Sequence, residues 1–278
     1  KCTFDHPNAH LVTTSFWHSF PAASFWANPD YPNVDYADLH QYIPANEDPN
    51  INDAAQATYA VSMAYGAKQP QGAGKPVIRG ETGFTASSTD PPLPDLLKDS
   101  AGIWLHNFLW GSLNPGGLSE LYWYRQAHIF SSTFDHRPIY RTFQTFRRDI
   151  PLPNGHYVEA QANPSNSALR VWGQKDVAHN RAHVWIQNKG HTWRNVVDGF
   201  SIAPISGTVT LAGFQGNKEY TIQWWDTYAT DPAQAITKTE LITTQPNGEL
   251  ILTITGLTTD LAVKIFRDEP LYLPLILK

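Results

Sequence analysis

The sequence predicts an α/β half followed by an all-β half. Three observations carry this expectation. Short apolar runs alternate with helical patterns over roughly the first 150 residues, as βα units on a parallel sheet require. From Tyr157 onward the apolar period becomes two, as in half-buried strands. Between the two regimes lies the Pro/Gly stretch PLPNG at 151–155, a linker composition that few contacts cross.

In the first half, residues 11–16 (LVTTSF) are rich in β-formers and follow the polar turn HPNAH. Residues 34–40 (VDYADLH) form the next strand candidate. A helix over 53–67 is capped by Asn52 or Asp53 and places Ala57, Val61, Ala64 and Tyr65 near one face. The third strand spans 75–81. Asp99 or Ser100 caps a helix reaching to about residue 113, whose apolar residues lie all round, so it is expected to be buried. Residues 121–124 supply the fourth strand, and Pro138 opens a last helix with Ile139, Phe143 and Phe146 inward. Four βα units in this length make half of a closed (β/α)8 barrel, which takes about 250 residues.

In the second half, the runs at 208–211, 220–224, 250–254 and 262–266 alternate, and Asn247-Gly248 between two of them marks a tight hairpin. Seven or eight such strands suggest an antiparallel β-sandwich. The expected organisation is a half-barrel over 1–150, a β-sandwich over 151–267 and an apolar, Pro-punctuated tail over 268–278.

Composition narrows the function. Hydrophobic residues make up 41% and charged residues 16%, a globular balance. A net charge of -5 without clustered Lys and Arg argues against a nucleic-acid partner. Cys2 is the single cysteine, so neither a disulfide framework nor a thiolate metal site is expected. No apolar run approaches the roughly 20 residues of a membrane span. The first residue, Lys1, is not Met and no signal peptide is visible, which reads as a processed product or a fragment lacking an N-terminal part.

The chemistry-bearing candidates sit at predicted strand ends. Glu81 closes the apolar run KPVIRGETGF (75–84) between Gly80 and Gly83, and a carboxylate at the C-terminal end of a barrel strand is where that architecture places catalysis. Arg79 would share its face in a regular strand and hold it ionised. Asp38, His40 and Tyr42 share a face of the preceding strand, with His40 and Tyr42 at the rim. Trp123 and Tyr124 end the fourth strand, where an indole could floor a sugar site, and Trp17 follows the first strand at the same rim. Alternatives stand beside each: Glu81 as the start of a loop, Trp123 as core filling, His106 as a hydrogen-bonded core histidine. Histidine spacing gives no zinc pattern, and no nucleophile elbow or phosphate loop occurs, so neither metal nor cofactor is expected.

The segments DLHQY, KPVIRGETG and LHNFLWGSLNPGGLSELYWY resemble the last strands, five to eight, of clan A glycoside hydrolases, closest to the cellulase- and mannanase-like (β/α)8 enzymes. The resemblance covers residues 8–150, and the segment 157–266 is similar to a β-sandwich, of the type labelled collagen-binding, often appended to such hydrolases. It implies a secreted or cell-surface retaining glycosidase acting on a β-linked oligo- or polysaccharide. Glu81 would be the nucleophile, with His40, Tyr42, Arg79, Trp123 and Trp17 around the substrate. The acid/base glutamate that the family carries after an Asn on strand four has no counterpart here. Asn46-Glu47 lies in a polar loop and is set aside. The implied partner is a polypeptide carrying the N-terminal half-barrel. A non-catalytic structural or carbohydrate-binding descendant is the other reading, and Trp185, Trp193, Trp224 and Trp225 bear on it: exposed indoles would stack on sugars, buried ones would not.

Overall fold

The computed structural model describes residues 12–13, 15–17, 35–65, 77–87, 93–113, 119–120 and 123–267. The chain divides into two compact units, one of residues 1–150 with 189–203, the other of 151–188 with 204–278. Residues 189–203, read from sequence with the sandwich, therefore group with the first unit.

The first unit is built on four parallel strands in sequential order: β1 (Ser15–Trp17), β2 (Ala37–Pro44), β3 (Val77–Thr85) and β4 (Ser119–Glu120). A further parallel bridge, Thr82 to Trp123, continues the β3 edge beyond β4. Parallel neighbours need long crossovers, and two of these are helical. Helix α1 (Ala54–Tyr65) joins β2 to β3, and α2 (Ile103–Trp110) lies between β3 and β4. Asp53 caps α1, its Oδ1 accepting the Gln56 N–H at 3.1 Å. All eight residues of α2 are buried, the outcome its all-round apolar sequence implies. The N-cap of that helix is Gly102, not Asp99 or Ser100 as expected, and the buried Asp99 reaches its first turn, its Oδ2 accepting the Trp104 N–H at 2.8 Å; burial raises its carboxyl pKa, against the lowering effect of the backbone N–H groups around it. Helix α3 (Ile139–Arg148) follows Pro138 and buries Thr142, Phe143 and Phe146.

The excursion 189–203 carries one short helix, α4 (Trp193–Val197), capped by the Thr192 hydroxyl. Trp193 is fully buried and donates its indole N–H to the Ile51 carbonyl at 2.9 Å. Arg194 stacks on Trp193 and pairs with Asp95 at 2.7 Å, and Asn107 donates to the His191 carbonyl at 2.9 Å.

The second unit holds two antiparallel sheets around one apolar core. Strands β5 (Val158–Glu159), β7 (Leu169–Asp176), β8 (Arg181–Asn188), β10 (Glu219–Trp225), β11 (Ile236–Thr243) and β13 (Asp260–Phe266) form a six-stranded sheet in the order β11-β10-β13-β8-β7-β5. Strands β6 (Asn163–Pro164), β9 (Ile205–Leu211) and β12 (Leu250–Leu257) form the other. Val184, Ile186, Val209, Tyr220, Ile222, Leu252 and Val263 meet in the shared core, as period two places them. The Asn247-Gly248 turn forms, with Gly248 at φ 81° and the Gln245 N–H bonded to the Glu249 carbonyl at 2.8 Å. It is not the hairpin expected. Its flanking strands pair with different partners, β11 with β10 and β12 with β9, so the turn carries the chain from one sheet to the other.

Candidate active site

The site is set by an irregularity in β3. Leu39 of β2 stands opposite Arg79, but the next residue, His40, stands opposite Glu81, so Gly80 is an extra residue in the ladder. A bulge of this kind lets two consecutive residues face the same side. The side chains agree. Arg79, Thr82 and Phe84 are buried against the helices: the Arg79 guanidinium donates to Thr58 Oγ1 of α1 at 2.8 Å and lies over the Phe108 ring of α2, and Phe84 packs on Trp104 and Phe108. Glu81 points to the other face, and so does Gly80, where an added Cβ would meet the Asp38 carboxylate.

On that face Glu81 is held from two sides. The Tyr42 hydroxyl donates to Glu81 Oε1, and His40 Nδ1 lies 3.6 Å from Oε2, beyond hydrogen-bond length but within ion-pair range. The side chains of His40 and Glu81 are 23% and 28% exposed, so the carboxylate is sheltered yet reachable. Tyr124 completes the group. Its ring lies edge-on to Tyr42 with centroids 5.2 Å apart, and its backbone N–H bonds to the Thr82 carbonyl at 2.8 Å. It rests where a side chain on Gly83 would otherwise stand: a Cβ there would fall 1.9 Å from the ring. Glu81 is the central residue of β3, which runs on to Thr85, so it does not close the strand as expected; its carboxylate is oriented by a phenol and flanked by an imidazole and an aromatic face. Such a group can attack an electrophilic carbon or accept a proton. Among the described residues, no cluster of three or more His, Cys, Asp or Glu could hold a metal ion.

No known protein-family model matches the chain, and no curated protein does. Similar solved structures include a family 44 xyloglucanase of Paenibacillus polymyxa, with TM-score 0.46 and 11% identity over 89% of this chain and 50% of that one. A glucosidase from Croceicoccus marinus gives TM-score 0.41 and 10% identity over 92% and 60%. A family 51 α-L-arabinofuranosidase from Thermotoga petrophila gives 0.39 and 13% over 84% and 53%. The chain thus spans about half the length of these structures. At TM-scores below 0.5, the chemistry of this chain rests on its own residues.

Three expected residues, Glu81, His40 and Tyr42, come together. Arg79 does not join them: its place beside Glu81 assumes a regular strand, and the inserted Gly80 turns Glu81 to the other face, leaving the wholly buried guanidinium in the helix layer. Trp123 is likewise not a floor for a sugar. It is 4% exposed, packs on Phe84, Trp104 and Phe108, and donates its indole N–H to His128 Nδ1 at 3.3 Å. The next residue, Tyr124, takes the opposite face and the position beside Tyr42. Trp17 ends β1 in register with His40, and its side chain lies outside the described residues. Asn46 and Glu47 are exposed in the turn after β2. The indoles read as possible sugar platforms are buried: Trp185 and Trp193 fully, Trp225 at 4% and Trp224 at 9% exposure. Trp224 belongs to the shared core, while Lys264 Nζ sits 4.6 Å from the Trp225 ring centroid.

Proposed function

We propose that the protein is a retaining glycoside hydrolase acting on a β-linked glycan, with Glu81 as the nucleophile. The observation that carries this reading is the Glu81 carboxylate itself, on a parallel strand with Tyr42 on one oxygen and His40 beside the other. A nucleophilic carboxylate must present one oxygen to the anomeric carbon along a fixed line, and a phenol on the other oxygen supplies that orientation. Tyr124 and Tyr42 offer an aromatic wall to the apolar face of a sugar ring. We read the four parallel strands as half of a (β/α)8 barrel and the two antiparallel sheets as an accessory β-sandwich. Retaining hydrolysis needs a second carboxyl about 5–5.5 Å from the first, and in this reading a polypeptide bearing the other half-barrel supplies it.

The test uses glycosides whose leaving group departs without protonation, so the first carboxylate is interrogated alone. A panel of 2,4-dinitrophenyl 2-deoxy-2-fluoro-β-glycosides (gluco, manno and xylo) is incubated with the 278-residue chain, followed by intact mass and peptide mapping. At least one sugar should add a single label at Glu81 and none in Glu81→Gln. Absence of label across the panel favours a non-catalytic descendant of the fold.

A further inference from the structure

We infer that Asp38 is a positioning residue for Glu81, acting through the bulge at Gly80; this rests on the reading of Glu81 as nucleophile. Two facts meet at this point. Gly80 is the inserted residue of the bulge, and it shares the inner face with Glu81. A Cβ at Gly80 would lie 2.0 Å from Asp38 Oδ1, 2.8 Å from its Cγ and 2.9 Å from Oδ2. The Asp38 carboxylate therefore occupies the volume that any other residue at position 80 would claim.

The consequence for Glu81 is geometric. Side chains alternate along a strand, so an unbroken β3 aligned at Leu39–Arg79 would put Gly80 beside His40 and Glu81 beside Gln41. Glu81 would then turn to the helix layer, where Arg79 and Phe84 are buried. The inserted Gly80 resets the phase by one, and Glu81 lands beside His40 and within reach of Tyr42. The bulge puts two consecutive residues on one face; here one of them has no side chain, and the Asp38 carboxylate of the adjacent strand fills the gap. Asp38 keys the bulge, and the bulge aims the nucleophile. Asp38 need not touch substrate for this.

The partnership is tested by a double-mutant cycle on the rate of covalent labelling. Asp38→Gly empties the key and should slow labelling on the order of 10²-fold, the scale of an ångström-sized misplacement of a reacting group. Gly80→Ala should do the same by expelling Asp38. The double variant Gly80→Ala/Asp38→Gly lets the new methyl occupy the vacated space and should recover at least about tenfold over either single change. The probe's inhibition constant should stay within about threefold throughout, since binding is not what the bulge controls. Singles at the wild-type rate, or a double variant whose losses simply add, overturn the proposal. If Gly80→Ala does not fold, Asp38→Gly alone decides it, by a rate that falls or does not. If wild type itself takes no label, the nucleophile reading fails separately, and the positioning claim is then read by whether melting temperatures of the four proteins show the same compensation.

Discussion

Lowering the pH from 7 to 4 interrogates the aromatic layer beneath the candidate site. His128 is buried next to Trp123, and its Nδ1 accepts the indole N–H, a bond that requires the unprotonated nitrogen. Burial, helped by the charge of neighbouring Arg125, pushes its pKa down to about 4. In the unfolded chain the same imidazole titrates near 6.5. Above that value both states are neutral and nothing is gained or lost. As the pH falls below it the unfolded chain binds the proton first, so stability drains away between about 6.5 and 4 and the slope ends once the folded state titrates. Each pH unit in that interval is worth about 1.4 kcal/mol, which sets a ceiling of roughly 3 kcal/mol; allowing for solvent screening leaves about 2 kcal/mol. Proton NMR of the imidazole Hε1 should place the His128 midpoint near 4, and urea unfolding should show wild type losing about 2 kcal/mol more than His128→Gln between pH 7 and 4.5. A midpoint near 6.5, or identical pH slopes for the two proteins, would refute the assignment of His128 to a closed aromatic core.

Other substitutions separate core from site. Trp123→Ala should cost about 3–5 kcal/mol, the usual penalty for deleting a buried aromatic; a loss under about 1 kcal/mol in denaturant titrations would return Trp123 to the list of surface candidates. Tyr42→Phe removes a hydrogen bond to a carboxylate, worth about 1.5–3 kcal/mol, and should slow labelling of Glu81 by roughly 10- to 100-fold with little change in probe binding. An unchanged rate removes Tyr42 from the machinery. Trp193→Phe leaves the Ile51 carbonyl without its indole donor and should lower stability by about 1–3 kcal/mol, read as an earlier unfolding transition; an unaltered transition means the excursion is not anchored there.

What was legible in the sequence is what is decided locally. The Asp53 cap, the burial of the helix over Ile103–Trp110, whose apolar residues lie all round, and the alternation of Tyr220, Ile222 and Trp224 follow from spacing along one segment. The shared face of His40 and Tyr42 in DLHQY was also readable, because it needs only its own strand's geometry. What failed depended on a partner strand. Whether Glu81 shares a face with Arg79 turns on a one-residue slip against β2, and no property of VIRGETG alone says where the slip falls, although a glycine inside a strand is the signal that one is present. Trp123 and Tyr124 were adjacent candidates separated only by parity, and parity at a short bridge is set by Thr82 opposite. The Asn247-Gly248 turn was right as a turn and wrong as a hairpin, because pairing is chosen by the sheets. Trp193 meets its acceptor across 142 positions of chain, far outside any window of periodicity.

The excursion 189–203 has a practical corollary. A cut at the Pro-rich boundary after Ile150 looks like the natural way to obtain the first unit alone, yet it would discard a fully buried tryptophan and the arginine that pairs with Asp95. The first unit is discontinuous in sequence, so its folding cannot be completed until the ribosome has delivered residues beyond β8. Dissection by truncation would therefore report the damage done by the missing strap. A circularly permuted chain, or point changes within 189–203 that leave the polypeptide whole, would report on the unit itself.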